Sequence, residues 1–258
     1  MKKKLRITLV QSNLFWENTE KNISHFSELI SSMQNTDIIL LPEMFNTAFS
    51  PSSHHLAEKM NGNTIAWLKN ISKENKCAIA GSLMIQEDNK IYNRLIWISK
   101  KGEILTYDKR HLFSPTKEHE FLSKGNDRLI VEIDGWKICP LICYDLRFPV
   151  FSRNNVGYDV LIYLANWPIK RIEVWDTLLK ARSIENQCYT IGVNRVGQDG
   201  NGVLFNGHSK VFNSVGKELG SAIENKEDVL QVEICSEDLN TTRKKMNFLK
   251  DRDDFILE

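Results

Sequence analysis

The chain is 258 residues long, 41% hydrophobic and 26% charged, with 34 Lys and Arg against 33 Asp and Glu. A composition this close to the globular average, without a low-complexity tract, excludes a disordered or fibrous chain, and a formal charge of +1 with both signs interleaved gives no footprint for a phosphate backbone or an anionic membrane. The length suits one α/β domain over residues 1–258, which buries roughly 70 to 75% of its unfolded surface and can enclose a dry site.

Nucleic acid is therefore not expected as a partner. Apolar stretches such as Ile38 to Pro42 fall far short of the ~20 residues of a membrane helix, so no membrane association is expected either. Lys2, Lys3 and Lys4 resemble the start of a signal peptide, but Arg6, Thr8 and Gln11 interrupt the apolar core that should follow. Five irregularly spaced cysteines, Cys77, Cys139, Cys143, Cys188 and Cys235, suit reduced thiols, and a cytoplasmic location is expected. The Asn-x-Ser/Thr sites at Asn22, Asn70 and Asn240 are then chance matches.

Leu5, Ile7 and Leu9 alternate with Arg6 and Thr8 before Val10, the period of a strand covered on one side. A helix capped by Asn18 follows, its apolar face carried by Ile23, Phe26, Ile30 and Met33. Ile38 to Leu41 reads as a short buried strand ended by Pro42, which cannot donate to a ladder. Asn63 to Asn75 is helical, with Ile65, Leu68 and Ile71 inward, and Cys77 to Ile85 returns as a strand. Ile91 to Ser99 and Glu103 to Tyr107 form a meander, and Leu129 to Ile133 pairs with Trp136 to Ile142 across Asp134-Gly135. Asp159 to Leu164 is a buried strand, Ile172 to Asn186 a helix and Tyr189 to Val193 a strand. Ser209 to Asn213 and Val229 to Ile234 are weaker strands, preceded by a glycine loop through Gly197, Gly200 and Gly202. Strands alternating with helices, with hairpins between them, predict an α/β fold of mixed sheet; the pattern leaves one sheet or two open.

In such folds the carboxyl ends of strands line the functional crevice. Glu43 follows Leu41, Lys109 follows Tyr107 and Cys143 follows Ile142, so a carboxylate, an ammonium and a thiol can converge. Singly, each is more often solvated surface or a small core residue. Together they suit nucleophilic chemistry, because a thiol of pKa ~8.5 is mostly protonated at neutral pH and a nearby ammonium or base generates its thiolate. A carboxylate in a dry pocket can take that proton and later return it, while the lysine faces a developing oxyanion. There is no Gly-x-Ser-x-Gly elbow, phosphate loop or Cys-x-x-Cys pair, and His54, His55, His111 and His119 lack zinc-ligand spacing, so no metal and no cofactor is expected.

These residues carry a resemblance. The segments Leu41-Pro42-Glu43-Met44-Phe45, Tyr107 to Phe113 and Ile142 to Pro149 resemble, in order and separation, the three signature regions of the nitrilase superfamily. Ala165-Asn166-Trp167-Pro168, Ala181 to Gln187 and Val193 to Gly197 extend the likeness over the whole chain. The resemblance implies an αββα sandwich of two mixed sheets with helices on the outer faces, usually a homodimer, hydrolysing a small-molecule amide or another non-peptide carbon–nitrogen bond without metal or cofactor. It implies Cys143 as nucleophile, Glu43 as general base and acid, and Lys109 with the Tyr144 amide as oxyanion donors. Asn166 and Trp167 would meet substrate, and Glu118, with Glu120 as the alternative, would support the lysine.

Within the superfamily the chain looks most like the bacterial ω-amidase branch, which deamidates 2-oxoglutaramate and 2-oxosuccinamate, although Ala48 and Val150 stand where Gly and Glu are expected. Asp145 and Arg147 are read as a carboxylate–guanidinium clamp beneath the cysteine. Arg171 and Arg110 are candidates for a far carboxylate, with a surface role favoured for each. N-carbamoyl compounds, nitriles and γ-glutamyl-type amides remain alternative substrates, and an idle thiol sensor or scaffold is the reading from another class.

Overall fold

The computed structural model describes residues 1–31, 33 and 35–256. In chain order the strands are β1 (Lys4–Gln11), β2 (Ile38–Leu40), β3 (Ala78–Glu87), β4 (Lys90–Ile98), β5 (Ile104–Asp108), β6 (Val131–Ile133), β7 (Trp136–Ile142), β8 (Val160–Leu164), β9 (Tyr189–Val193), β10 (Val196–Gln198), β11 (Leu204–Asn206), β12 (Lys210–Phe212), β13 (Glu218–Ser221) and β14 (Asp228–Cys235). The helices are α1 (Thr19–Ser31), α2 (Asn63–Asn75), α3 (Glu118–Phe121), α4 (Pro149–Ser152), α5 (Ile172–Glu185) and α6 (Ser236–Lys245). Among the described residues, no helix is long and apolar enough to cross a membrane.

Two six-stranded sheets result, in the orders β14-β1-β2-β3-β4-β5 and β13-β12-β9-β8-β7-β6. Each is parallel at its centre, β1-β2-β3 and β7-β8-β9, and antiparallel towards its edges. β14 pairs with β1 over its whole length, from Lys4 opposite Cys235 to Gln11 opposite Asp228.

The period-2 pattern of β1 explains the layering. Leu5, Ile7 and Leu9 join Leu40, Ala80 and Trp97 in one cluster with Ile138, Leu141 and Leu161 of the second sheet, which is the core between the sheets. Val10, Ile39, Leu41 and Ile79 belong to a second cluster with Phe26 and Ile30 of α1 and Ile65 and Leu68 of α2. Each large apolar side chain buried this way contributes about 1.5–3 kcal/mol. Over the second sheet, Gly192 lets α5 lie close, since a Cβ there would come within 2.5 Å of both Leu179 and Trp175. The architecture is the expected αββα sandwich.

Asn18 caps α1 as expected, its Oδ1 accepting from the Lys21 amide at 3.0 Å. The described helix runs over Thr19–Ser31; Ser32, within its expected extension to Met33, and residues 257 and 258 of the expected domain lie outside the described residues. Asn22 is buried and donates to the Phe15 and Asn46 carbonyls, as suits a chance glycosylation match. The glycine loop is corrected in part: Gly200 and Gly202 lie in a turn as expected, but residues 196–198, with Gly197, pair with 204–206 as an antiparallel hairpin. β13 and α6 are also absent from the expectation. Strands of three or four residues are too short to display a period, and α6 buries only Ser236 and Leu239, leaving no apolar stripe to recognise.

Candidate active site

Glu43 is set by the way the chain leaves β2. The Leu41 amide donates to the Ala80 carbonyl, the Met44 amide to Ser82 Oγ and the Phe45 amide to the Ser82 carbonyl, so the segment around Pro42 is tied to β3 on both sides of Glu43. Gly81 makes this possible, because a Cβ there would lie 2.6 Å from the Phe45 ring. Lys109 leaves β5 with its amide bonded to the Asn93 carbonyl at 3.0 Å. Cys143 leaves β7 of the other sheet with φ of +41°, a conformation uncommon for a residue bearing a Cβ and found where surroundings over-determine it.

Asp145 supplies that determination. Its Oδ2 accepts from the Ile142 amide at 3.0 Å and from the Tyr107 hydroxyl at 2.7 Å, while Oδ1 accepts from the His111 amide and lies 2.8 Å from His111 Nδ1. One carboxylate thus ties the cysteine's turn to the segment that carries Lys109. The expected partner is a correction, since Arg147 makes no fork with Asp145: its guanidinium stands 5.0 Å over the Trp167 ring and faces a cavity.

At the cavity's foot, Lys109 Nζ lies 2.8 Å from Glu43 Oε1 and 3.0–3.1 Å from both oxygens of Glu118. All three side chains are fully buried. Glu43 Oε2 accepts from the Asn166 amide at 3.0 Å, and Asn166 Nδ2 donates to the Glu43 carbonyl at 2.6 Å. Of the two candidate glutamates, Glu118 meets the lysine, whereas Glu120 is exposed and pairs with Lys117. Asn93 donates to both Glu43 and Glu118.

Two carboxylates and one ammonium out of water leave an excess negative charge, and the proton affinities reflect it. Burial works against the Lys109 ammonium, but Glu118 and Glu43 outweigh it and Lys109 holds its proton more tightly than a free lysine. Burial raises the Glu118 carboxyl despite Lys109. Burial, then the neighbouring Glu43 carboxylate, pushes the Cys143 thiol well above its ordinary range, with Lys109 pulling the other way. Burial thus favours the Cys143 thiol over its thiolate, with Glu43 beside it, an arrangement suited to proton transfer on attack.

The cavity above has a volume of about 560 Å³. Phe49, Phe113, Trp167, Ile169 and Phe205 make its walls largely apolar, with Glu43, Lys109, Cys143, Tyr144 and Asn166 at the polar end. Trp167 is fixed by its amide bond to Asn194 Oδ1 at 2.7 Å and by its indole bond to the Arg171 carbonyl at 2.8 Å. The hairpin β10-β11 forms part of the wall, anchored by fully buried Arg195, whose guanidinium donates to carbonyls of Leu14, Val196 and Gln198 and lies 4.6 Å over the Phe205 ring. Arg171 also faces the cavity, over the Phe113 ring, rather than the surface role favoured from sequence. Arg110 turns away, donating to the Asn126 carbonyl and stacking on Phe151. The sequence reading missed Asn93; its signal was a polar residue at the inward phase of β4, in step with Leu95 and Trp97.

A thiol, a carboxylate and a lysine meeting where two stacked mixed sheets present their strand ends define a hydrolase of the carbon–nitrogen bond. The chain belongs to the carbon-nitrogen hydrolase family, which it matches over residues 6–244. It is 41% identical to omega-amidase YafV of Yersinia enterocolitica over 255 residues, 98% of each chain. It is 32% identical over 237 residues to a 2-oxoglutaramate amidase of Bacillus subtilis, covering 90% of this chain and 91% of that one. Among solved structures it resembles XC1258 of Xanthomonas campestris, a CN-hydrolase superfamily protein with an arsenic adduct in its active site, at 38% identity and a TM-score of 0.96, covering 99% of each chain.

Proposed function

We propose that the protein hydrolyses the terminal amide of small 2-oxo dicarboxylic half-amides, 2-oxoglutaramate and 2-oxosuccinamate, to the acid and ammonia through a thioester on Cys143. The observation that carries the reading is the Glu43 carboxylate, one oxygen held by Lys109 and the other facing the Asn166 amide beside the thiol. As Cys143 Sγ bonds to the amide carbon, its proton passes to Glu43, and the carbonyl electrons collect on oxygen opposite Lys109 Nζ and the Tyr144 amide. Glu43 then protonates the nitrogen, the C–N bond breaks and ammonia leaves. Water gives a proton to Glu43 as it attacks the thioester, and that proton returns to sulfur as the acid departs. Glu118 keeps Lys109 charged and aimed. Asn166 and Trp167 border the amide end, and Asn166 Oδ1, buried without a partner among the described residues, is an acceptor for the substrate's N–H.

Arg147 and Arg171 support the dicarboxylic part of the proposal. Both line the cavity, and neither forms an ion pair with a carboxylate among the described residues, so two planar donors face the position of the far carboxylate. The names of the relatives at 41% and 32% identity point to the same substrates. We further take the chain as one domain, acting in the cytoplasm, where its five free cysteines stay reduced, and as a homodimer. Pairing rests on exposed apolar side chains such as Ile184 and Val215, 42% and 50% accessible beside Gly216.

Ammonia release from 2-oxoglutaramate, with glutamine as the control, tests the reading. Turnover is expected from the native protein on the oxo acid alone, with none from C143A, which keeps its fold. Undiminished turnover by C143A removes the thioester; preference for glutamine, an N-carbamoyl compound or a nitrile removes the substrate assignment.

A further inference from the structure

Between the two buried carboxylates stands a neutral side chain. Asn93 Nδ2 lies 2.9 Å from Glu43 Oε1 and 3.3 Å from Glu118 Oε1, and its carbonyl oxygen Oδ1 is buried without a hydrogen-bond partner among the described residues. Two amide hydrogens face two carboxylate oxygens. The opposite amide orientation would set a carbonyl oxygen against both carboxylates, so the orphaned Oδ1 accompanies the orientation that satisfies the anions. An unsatisfied acceptor in a packed interior is unfavourable and uncommon. The main chain of the same residue accepts the Lys109 amide at 3.0 Å, so Asn93 touches all three members of the buried charge array.

We propose that Asn93 is a positioning residue, which holds Glu43 Oε1 towards Lys109 and so leaves Oε2 turned to the Asn166 amide and the Cys143 thiol. The proposal rests on reading Glu43 as the acceptor of the thiol proton. A second cation in this place would stabilise the carboxylate too, but would weaken it as a base; an amide supplies two donors without net charge. The titratable groups that bear on Asn93 are Glu43 and Glu118 at its amide, Lys109 between them and Cys143 beyond Glu43. Without the two amide donors the pair of carboxylates is less well stabilised as anions, which disfavours the form of Glu43 that accepts the thiol proton.

The test is the rate of Cys143 alkylation by iodoacetamide between pH 5 and 9, read on the Cys143 peptide by mass spectrometry, in native protein, N93L, E43Q and the double variant. This readout needs no knowledge of the substrate. In N93L the rising limb moves up by about one pH unit, so labelling on that limb falls roughly tenfold at a given pH. E43Q departs from the native profile, since it removes both the proton acceptor and the negative charge that holds the thiol up, and adding N93L to it produces no further change, because the two groups act through one another. A native limb in N93L beside an altered E43Q profile overturns the role of Asn93 alone, as does an equal N93L effect in both backgrounds. An E43Q rate equal to native overturns the reading of Glu43 itself. Should N93L fail to fold by circular dichroism, N93D of the same size takes its place; its added negative charge moves the limb upward, and an unmoved limb overturns the proposal.

Discussion

Lys109 is the single cation in a buried array with two carboxylates, and removing its charge exposes the imbalance. K109M is expected to lower stability at pH 7 by about 3–5 kcal/mol, the cost of leaving buried charge without its partner. Burial already raises the Glu118 carboxyl, so it takes up a proton more readily than a free glutamate. The deficit therefore shrinks as the pH is lowered and the array gains protons, which urea titrations of native and variant protein at pH 7 and 5.5 will compare. A deficit that grows on acidification contradicts the charge argument. Glu43, Lys109 and Cys143 were legible in the sequence because each follows a strand end, which a pattern of apolar residues locates. Arg147 was misassigned and Asn93 missed for the opposite reason. Their partners, Trp167 and the pair Glu43 and Glu118, lie far along the chain, and only the folded sheets bring them near.

At the level of elements, the turns leaving β2 and β7 hold the chemistry. Ala48 occupies a position with φ of +61°, which explains the glycine expected there from the resemblance. A48G should be neutral or raise Tm slightly, since it relieves a left-handed conformation costing roughly 1–2 kcal/mol, partly offset by added freedom when unfolded. Asp145 holds the other turn. D145N keeps the shape but puts amide hydrogens against one pair of its present donors, and it is expected to cost about 1–3 kcal/mol of stability and to slow Cys143 labelling. Stability lost without any change in labelling would mean that the turn holds its geometry by other means. Most elements were legible to within two residues of their ends because β1, β7 and α2 carry full periods of apolar residues. The hairpin β10-β11 was not, because its segments are short and its place depends on Arg195 reaching the carbonyls of Leu14 and Gln198.

On the scale of the whole molecule, the sandwich core hides thiols as well as hydrocarbon. Burial pushes Cys139 and Cys188 up to about 12 from the ordinary 9.0. Between those values the unfolded chain releases protons that the folded one keeps, so stability is full below pH 9 and declines above it, by about 1.4 kcal/mol per thiol per pH unit. Urea unfolding at pH 8, 9 and 10 under reducing conditions measures that slope, and replacing Cys139 or Cys188 with alanine should flatten it. The pairing of β1 with β14 reaches further, into the synthesis of the protein. During synthesis β1 waits for a partner beginning at Asp228, which at 5–20 residues per second arrives roughly ten to forty seconds later. During that interval one edge of the nascent first sheet stays open, and strand edges of this kind invite pairing with other chains. The sheet bearing Glu43 and Lys109 is thus completed only after Cys143 has been made.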